Sequence, residues 1–574
     1  MVCIPENKLP ITTENDEIMA VRAQSACSAI SNWKYSANIN PTGRYGMSSQ
    51  ALRDARRYEE EFEKKILPEE RPAFHLSSRV GWMNDPNGFS RYKGEYHLFY
   101  QYHPYDSHWG PMHWGHAVSK DLLHWKYLPA ALAPDMPYDR DGCFSGGALV
   151  MKDGTHMLMY TGVCKEMTIG ERNLEVQTQC VAFGDGENYT KYAGNPVLAF
   201  EDLPEECSRY DFRDPRIWQE KDGTYKAAAV SYSLRKQKEV LHDRNSDNAD
   251  GLLATTMIHE EEEGGQILLF SAKDPYHWKF ERKLAVNGYR LGRMWECPDL
   301  FELDGKQVIL ASAMDMLPDG LEYHNGNGTF CLIGEYDRET GRFVPEVDQS
   351  VDYGMDFYAE QTVLAPDGRR IMIAWMQNWD TCNLHTKSIP WFGQMTLPRE
   401  LSVKDGRLYQ WPIRELLSMR RDKVHYENVR VHDEEIELDG IRGRLVDMEL
   451  ELKVMEDDEE GHYPFQKFAI HFARDGRHHT GISFRPAEST LKVDRKFSGS
   501  RRAIIHQRRA YAKPKDGVLK LRIILDRFSA EVFVNDGEQT LTATIMTDQA
   551  AQGISFCTDG QVEMDITKYD LFKE

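Results

Sequence analysis

The chain has 574 residues, 41% hydrophobic and 28% charged, which is too long for one ordinary core and normal for a globular protein. Its formal net charge of −21 repels phosphate backbones and anionic lipid, arguing against nucleic-acid and membrane-surface partners. Ten cysteines stand singly with no Cys-x-x-Cys pair, and no apolar run suits a signal peptide or a membrane span. The expectation is a protein of a reducing, cytoplasmic setting without a zinc site or a disulfide framework.

Residues 1–47 mix Pro, Gly, Ser and Asn between short apolar pieces and fit no element. Ser48 and Ser49 offer N-cap hydroxyls for a charged, exposed helix over about 50–65, stopped by Pro68, so 1–71 reads as an extension carrying one helix. Trp82-Met-Asn-Asp-Pro-Asn-Gly88 suits neither helix nor strand interior and reads as a tight turn ahead of a strand at 89–92. From residue 72 the texture is β-like, and hairpin signals recur: Tyr92-Lys-Gly94, Lys152-Asp-Gly154, Lys221-Asp-Gly223, Leu303-Asp-Gly305 and Pro366-Asp-Gly368. The turn glycines lie 60, 69, 82 and 63 residues apart, and each turn is followed by an apolar strand. A further strand repeats: Asp121, Asp185 and Asp274 each precede an aromatic by four residues, at Trp125, Tyr189 and Trp278. Five repeats of this size predict a five-bladed β-propeller over 72–415. A linker at 416–429 and a β-sandwich over 430–574, from alternating strands such as Leu519-Lys-Leu-Arg-Ile-Ile-Leu525, complete an all-β fold.

Nine residues before each turn glycine stand Asp85, Ser145, Asp214, Glu296 and Ala359. In a propeller these positions are related by rotation and ring one mouth of the channel. Three are carboxylic acids, and like charges in one funnel cannot share one pKa. Glycoside hydrolysis needs such a pair, one ionised and one protonated. Carboxylates also line propeller channels as calcium ligands or structural networks, and spacing alone leaves both readings open.

The motifs around these residues resemble family 32 of the glycoside hydrolases: Trp82-Met-Asn-Asp-Pro-Asn-Gly88, Phe144-Ser-Gly146, Arg213-Asp-Pro215, Glu296-Cys-Pro298, Asp356-Phe-Tyr-Ala-Glu-Gln361 and Leu397-Pro-Arg-Glu-Leu401, in that order. The resemblance covers about 50–574 and implies a propeller followed by a sandwich. It implies retaining hydrolysis of β-fructofuranosides, with Asp85 as nucleophile, Glu296 as acid/base and Asp214 as transition-state stabiliser. It also implies sugar contacts by Asn84, Gln101, Trp109, Phe144, Ser145, Arg213 and Trp375, a small-molecule sugar as partner, and no metal or other cofactor. Cys297, beside the acid/base, is expected either to keep Glu296 in a less polar setting or to be a plain buried residue. His103, His108, His113, His116 and His124 crowd one segment, but their spacing suits no single ligand face, and packing is expected. Sucrose-6-phosphate hydrolase, fructosyltransferase and a non-catalytic sugar-binding propeller are the alternatives.

Residues 233–265 are an acidic insertion in the third repeat, and the strand count places it on the catalytic face. It is expected to form a rim against long fructans or a contact within a homo-oligomer. Deleting 236–262 is therefore expected to raise activity on inulin relative to sucrose or to lower the assembled mass. Unchanged activity on sucrose, kestose and inulin, together with unchanged mass in light scattering, contradicts this.

Overall fold

The computed structural model describes residues 48–169, 172–233, 264–288, 290–382, 390–454, 462–499 and 505–571; the first 47 residues and most of the acidic insertion lie outside the described residues. Five four-stranded antiparallel units follow one another over 81–132, 142–191, 213–286, 294–350 and 358–412. Their first strands, Gly81–Tyr92, Gly142–Val150, Arg213–Gln219, Met294–Leu303 and Tyr358–Leu364, touch one another in a closed ring. This is the five-bladed propeller. The ring closes where Trp391–Phe392 pairs in parallel with Gly81 and Trp82, and where the Met395 N–H donates to the Leu76 carbonyl at 2.7 Å.

The repeated aspartates have a structural reason. Asp121, Asp185 and Asp274 each accept the backbone N–H groups two and three residues on, at 2.8–3.0 Å. Each builds the Asx turn that starts the outermost strand of its blade. The stretch from Trp82 to Gly88 is not a turn but part of the strand Gly81–Tyr92. Pairing breaks between Met83 and Pro86 and again between Asn87 and Ser90, and Gly88 takes φ 52°, so the sequence is carried by bulges.

The helix, Gln50–Glu63, is capped by Ser49, whose side chain accepts the Leu52 N–H at 3.1 Å. It is not simply exposed: Leu52, Ala55 and Glu59 are buried against blade one. There Glu59 accepts the Ala130 N–H and pairs with Arg79, each at 2.9 Å. The expected linker at 416–429 is instead a 3-10 turn, Arg414–Met419, and most of a strand, Arg420–His432. That strand pairs with the C-terminal strand Gly553–Leu571, so it belongs to the second domain. Gly553–Leu571 runs through both sandwich sheets: 553–560 pairs with Phe465–Arg474, and 563–570 with Val446–Lys453. The apolar faces of the two sheets, including Leu450, Ile470, Phe484, Ile523 and Ile566, meet in one core.

Propeller and sandwich are joined by buried ions. Arg399, fully buried, donates to Asp352 at 3.0 Å, to Glu531 at 2.5 and 3.0 Å, and to Thr542 at 2.6 Å. His75 lies between Asp526 (Nδ1, 2.7 Å) and Glu531 (Nε2, 2.9 Å). Burial alone would lower the His75 pKa, but the two carboxylates outweigh it and hold it near 9, while both acids are pulled down. A histidine whose folded pKa exceeds its unfolded value near 6.5 contributes stability that is complete below about pH 6.5 and is lost as pH rises through about 9. Denaturant unfolding should therefore show His75→Gln destabilised by about 3–5 kcal/mol near pH 6, with the gap from wild type shrinking above pH 9. A gap that is constant with pH contradicts a charged His75.

Candidate active site

In every blade the first strand holds one residue more than the second at the level of the mouth, and blade one carries a second such bulge between Asn87 and Ser90. Pairing skips between Met83 and Pro86, Phe144 and Gly146, Arg213 and Arg216, Glu296 and Asp299, and Tyr358 and Gln361. Asp85, Ser145, Asp214, Cys297 and Ala359 lie in these bulges. Asp214, Cys297 and Ala359 take φ of 59°, 51° and 54°, the left-handed region that costs a non-glycine residue about 1–2 kcal/mol. The bulge turns the chain so that residues on both sides of it face the mouth. Nine residues back lies one residue off the equivalent position in blade four, where the counterpart of Asp214 is Cys297, and in blade one, where it is Asn84. In blade four the hairpin leaves two residues unpaired, against five in blades three and five; blade one has the same short hairpin and a second bulge.

This equivalence explains the contacts. Arg213, Glu296 and Tyr358 stand immediately before the bulge in adjacent blades and meet. Arg213 donates to Glu296 Oε1 at 3.0 and 3.2 Å, and Tyr358 donates its hydroxyl to Oε2 at 2.6 Å. One step on, the Cys297 N–H donates to Asp214 Oδ2 at 3.0 Å, and the Asp214 N–H donates to Thr161 Oγ1 at 3.0 Å. Asp85 receives the Ser145 hydroxyl on Oδ2 at 2.6 Å and the Asn84 amide on Oδ1 at 3.1 Å. The Trp82 indole donates to Asn84 Oδ1 at 2.8 Å and stacks on Phe392, fixing the amide from below. The Cys297 thiol faces Asp85 Oδ2 at 3.5 Å and Asp214 Oδ2 at 3.8 Å. Its role next to Glu296 is thus corrected: the side chain turns to the other two acids, because the bulge sends consecutive residues to different partners.

The three acids have unequal surroundings. Burial pushes the Asp85 pKa up, the Ser145 hydroxyl opposes this and Glu296 adds to it. Burial raises Asp214 to about 7, with Arg213 pulling it down and Glu296 and Asp85 pushing it up. Asp214 therefore titrates near neutral pH. Burial also keeps Cys297 a thiol.

A pocket of about 610 Å³ opens over these groups, lined by Asn84, Asp85, Gln101, Trp109, Phe144, Ser145, Arg213, Asp214 and Glu296. Gln101 is fixed by donating to the Cys143 carbonyl at 2.9 Å, and Trp109 meets Phe144 edge-on at 6.2 Å. Trp375 is a correction: it is fully buried beneath the site, 6.0 Å from the Trp82 ring and 5.2 Å from the Trp379 ring. It closes the inner end of its strand opposite Tyr358, and Trp379 takes its place on the pocket wall. Tyr358 was missed as a site residue, although it directly precedes Ala359, the fifth repeat position. The histidines are dispersed: His103 and His113 face the Pro111 carbonyl, His108 and His124 pair with Asp106 and Asp121, and His116 meets His97 at 3.0 Å. Among the described residues no group of three or more His, Cys, Asp or Glu could hold a metal ion.

The sequence matches the profiles described as "Glycosyl hydrolases family 32 N-terminal domain" over 75–250 and 246–412, and "Glycosyl hydrolases family 32 C terminal" over 415–572. The chain belongs to glycoside hydrolase family 32. Relatives of this family 32 chain include the raffinose invertase of Escherichia coli, 36% identical over 509 residues, spanning 86% of this chain and 94% of the relative. A sucrose-6-phosphate hydrolase of Escherichia coli is 33% identical over 483 residues, spanning 83% and 89%. The solved structure of a Bombyx mori GH32 beta-fructofuranosidase superposes with a TM-score of 0.72 at 34% identity, covering 91% of this chain and 98% of that one.

Proposed function

We propose that this β-fructofuranosidase works by a double displacement in which Asp85 attacks the anomeric C2 and Glu296 serves as acid and then base. The observation that carries the assignment is the contrast between the two groups across one pocket. Asp85 is held by Ser145, Asn84 and Cys297, whose hydrogen bonds favour an ionised nucleophile. Glu296 is held by Arg213 on one oxygen and Tyr358 on the other, and lines the same pocket that receives the leaving oxygen. Asp214 accepts hydroxyl hydrogen bonds from the fructosyl ring. Those bonds favour its ionised form, and Glu296 donates the proton of the first half-reaction. The covalent fructosyl ester at Asp85 then removes one negative charge, and Glu296, paired with Arg213, deprotonates water.

Sucrose and short fructo-oligosaccharides are the proposed substrates. A reducing, cytoplasmic setting is proposed on the strength of the free thiols at the eight cysteines among the described residues. Association of copies through 233–265 also belongs to the proposal.

Asp85→Asn should lower kcat on sucrose by about 10⁴-fold or more. Glu296→Gln should lower it by about 10²–10⁴-fold, with most of the loss recovered on an aryl fructofuranoside whose leaving group needs no proton. Stopped-flow or discontinuous fructose assays measure both. Equal losses on both substrates for Glu296→Gln contradict its role as acid.

A further inference from the structure

The side of the pocket next to Glu296 carries Gln177 and Asp211, both 3.5 Å from the Arg213 guanidinium that pairs with Glu296, and Glu175, two residues before Gln177 on the strand Arg172–Gly184; Tyr210 and Arg293 also line the pocket. With Glu296 as the acid, the leaving sugar belongs on this side. Five carboxyl groups line the whole pocket, those of Asp85, Glu175, Asp211, Asp214 and Glu296, against two guanidiniums, Arg213 and Arg293. Among the described residues no lysine or histidine lines it.

Both guanidiniums are already engaged. Arg213 lies 3.0 Å from Glu296, 3.5 Å from Asp211 and 3.9 Å from Asp214. Arg293 is 3.0 Å from Asp315 at the rim. Phosphate esters are most often held by Arg or Lys donors not already paired with carboxylates, or by a helix N-terminus, and the only α-helix among the described residues, Gln50–Glu63, does not line the pocket. Glu175 is the converse case. It makes no ion pair among the described residues, and it is half-buried with its carboxylate beside the pocket. A carboxylate so placed accepts sugar hydroxyls strongly and opposes an added dianion.

We propose that the Glu296 side of the pocket takes an uncharged leaving sugar, and that Glu175 sets this preference by accepting its hydroxyls and repelling a phosphate ester in the same place. The inference rests on the fructofuranosidase reading above. It holds apart from the names of relatives, which include both an invertase and sucrose-6-phosphate hydrolases.

The test is kcat/KM on sucrose and on sucrose-6-phosphate for the wild type, Glu175→Gln and Glu175→Asp at low ionic strength. The wild type should prefer sucrose by about 100-fold or more. Glu175→Gln should lose about tenfold on sucrose, mainly through KM, and narrow the preference by a similar factor. Glu175→Asp, which keeps the charge, should retain the preference, and added salt should narrow it in the wild type. A wild type that prefers the phosphate ester overturns the proposal, and so does an unchanged ratio in Glu175→Gln. Release of fructose from neither compound would instead overturn the fructofuranosidase reading itself.

Discussion

Three carboxyl groups share the mouth of the propeller, and the contact that permits this is the pairing of Arg213 with Glu296 at 3.0 Å and with Asp214 at 3.9 Å. Taking one carboxylate out of water costs several kcal/mol, and neighbouring anions add to that cost. A single buried guanidinium and a set of fixed N–H, O–H and S–H donors offset it. The propeller supplies these partners by repetition. Residues before the bulge in blades three, four and five become Arg213, Glu296 and Tyr358, and the fold brings them into contact without a loop designed for the purpose. The strain of three left-handed residues is accepted at the place where side-chain direction matters most.

The sandwich contributes from behind. Arg495 and the Thr544 N–H bind Asp356 at 2.6 and 2.7 Å, and the Thr542 carbonyl accepts the Met355 N–H at 2.8 Å. These bonds hold the chain just before it enters blade five, two residues short of Tyr358. The hydroxyl that steadies Glu296 is therefore positioned partly by the second domain. Arg399, clamped between Asp352 of the propeller and Glu531 of the sandwich, fixes the same approach. A buried pair of this kind specifies one docking geometry because breaking it leaves an uncompensated charge.

Much of this was legible in the sequence because propeller turns announce themselves. Asp-Gly hairpins and Asx aspartates act locally, so their period survives in the chain. The three acids followed from that period. What escaped depends on tertiary pairing. A bulge is an extra residue relative to a neighbouring strand, so a single strand read alone cannot show it, and Trp82–Gly88 looked like a turn. The one-residue offset at Glu296 and Cys297 comes from a shorter hairpin some distance away. Trp375 and Trp379 are both aromatic and four residues apart, and only the direction of the chain after the strand decides which one lines the pocket. The residues of 420–429 looked like a linker because most are polar; their partner, Gly553–Leu571, lies over a hundred residues on.

The central claim is that the bulge in blade one presents Asp85 as a nucleophile that becomes covalently fructosylated. The direct measurement is rapid acid quenching during turnover of sucrose, followed by proteolysis and mass spectrometry. The account predicts one fructosyl unit attached at Asp85, absent from Asp85→Asn, with fructose released in the β configuration. An adduct on another residue contradicts it, as does release of the α anomer with no adduct at all.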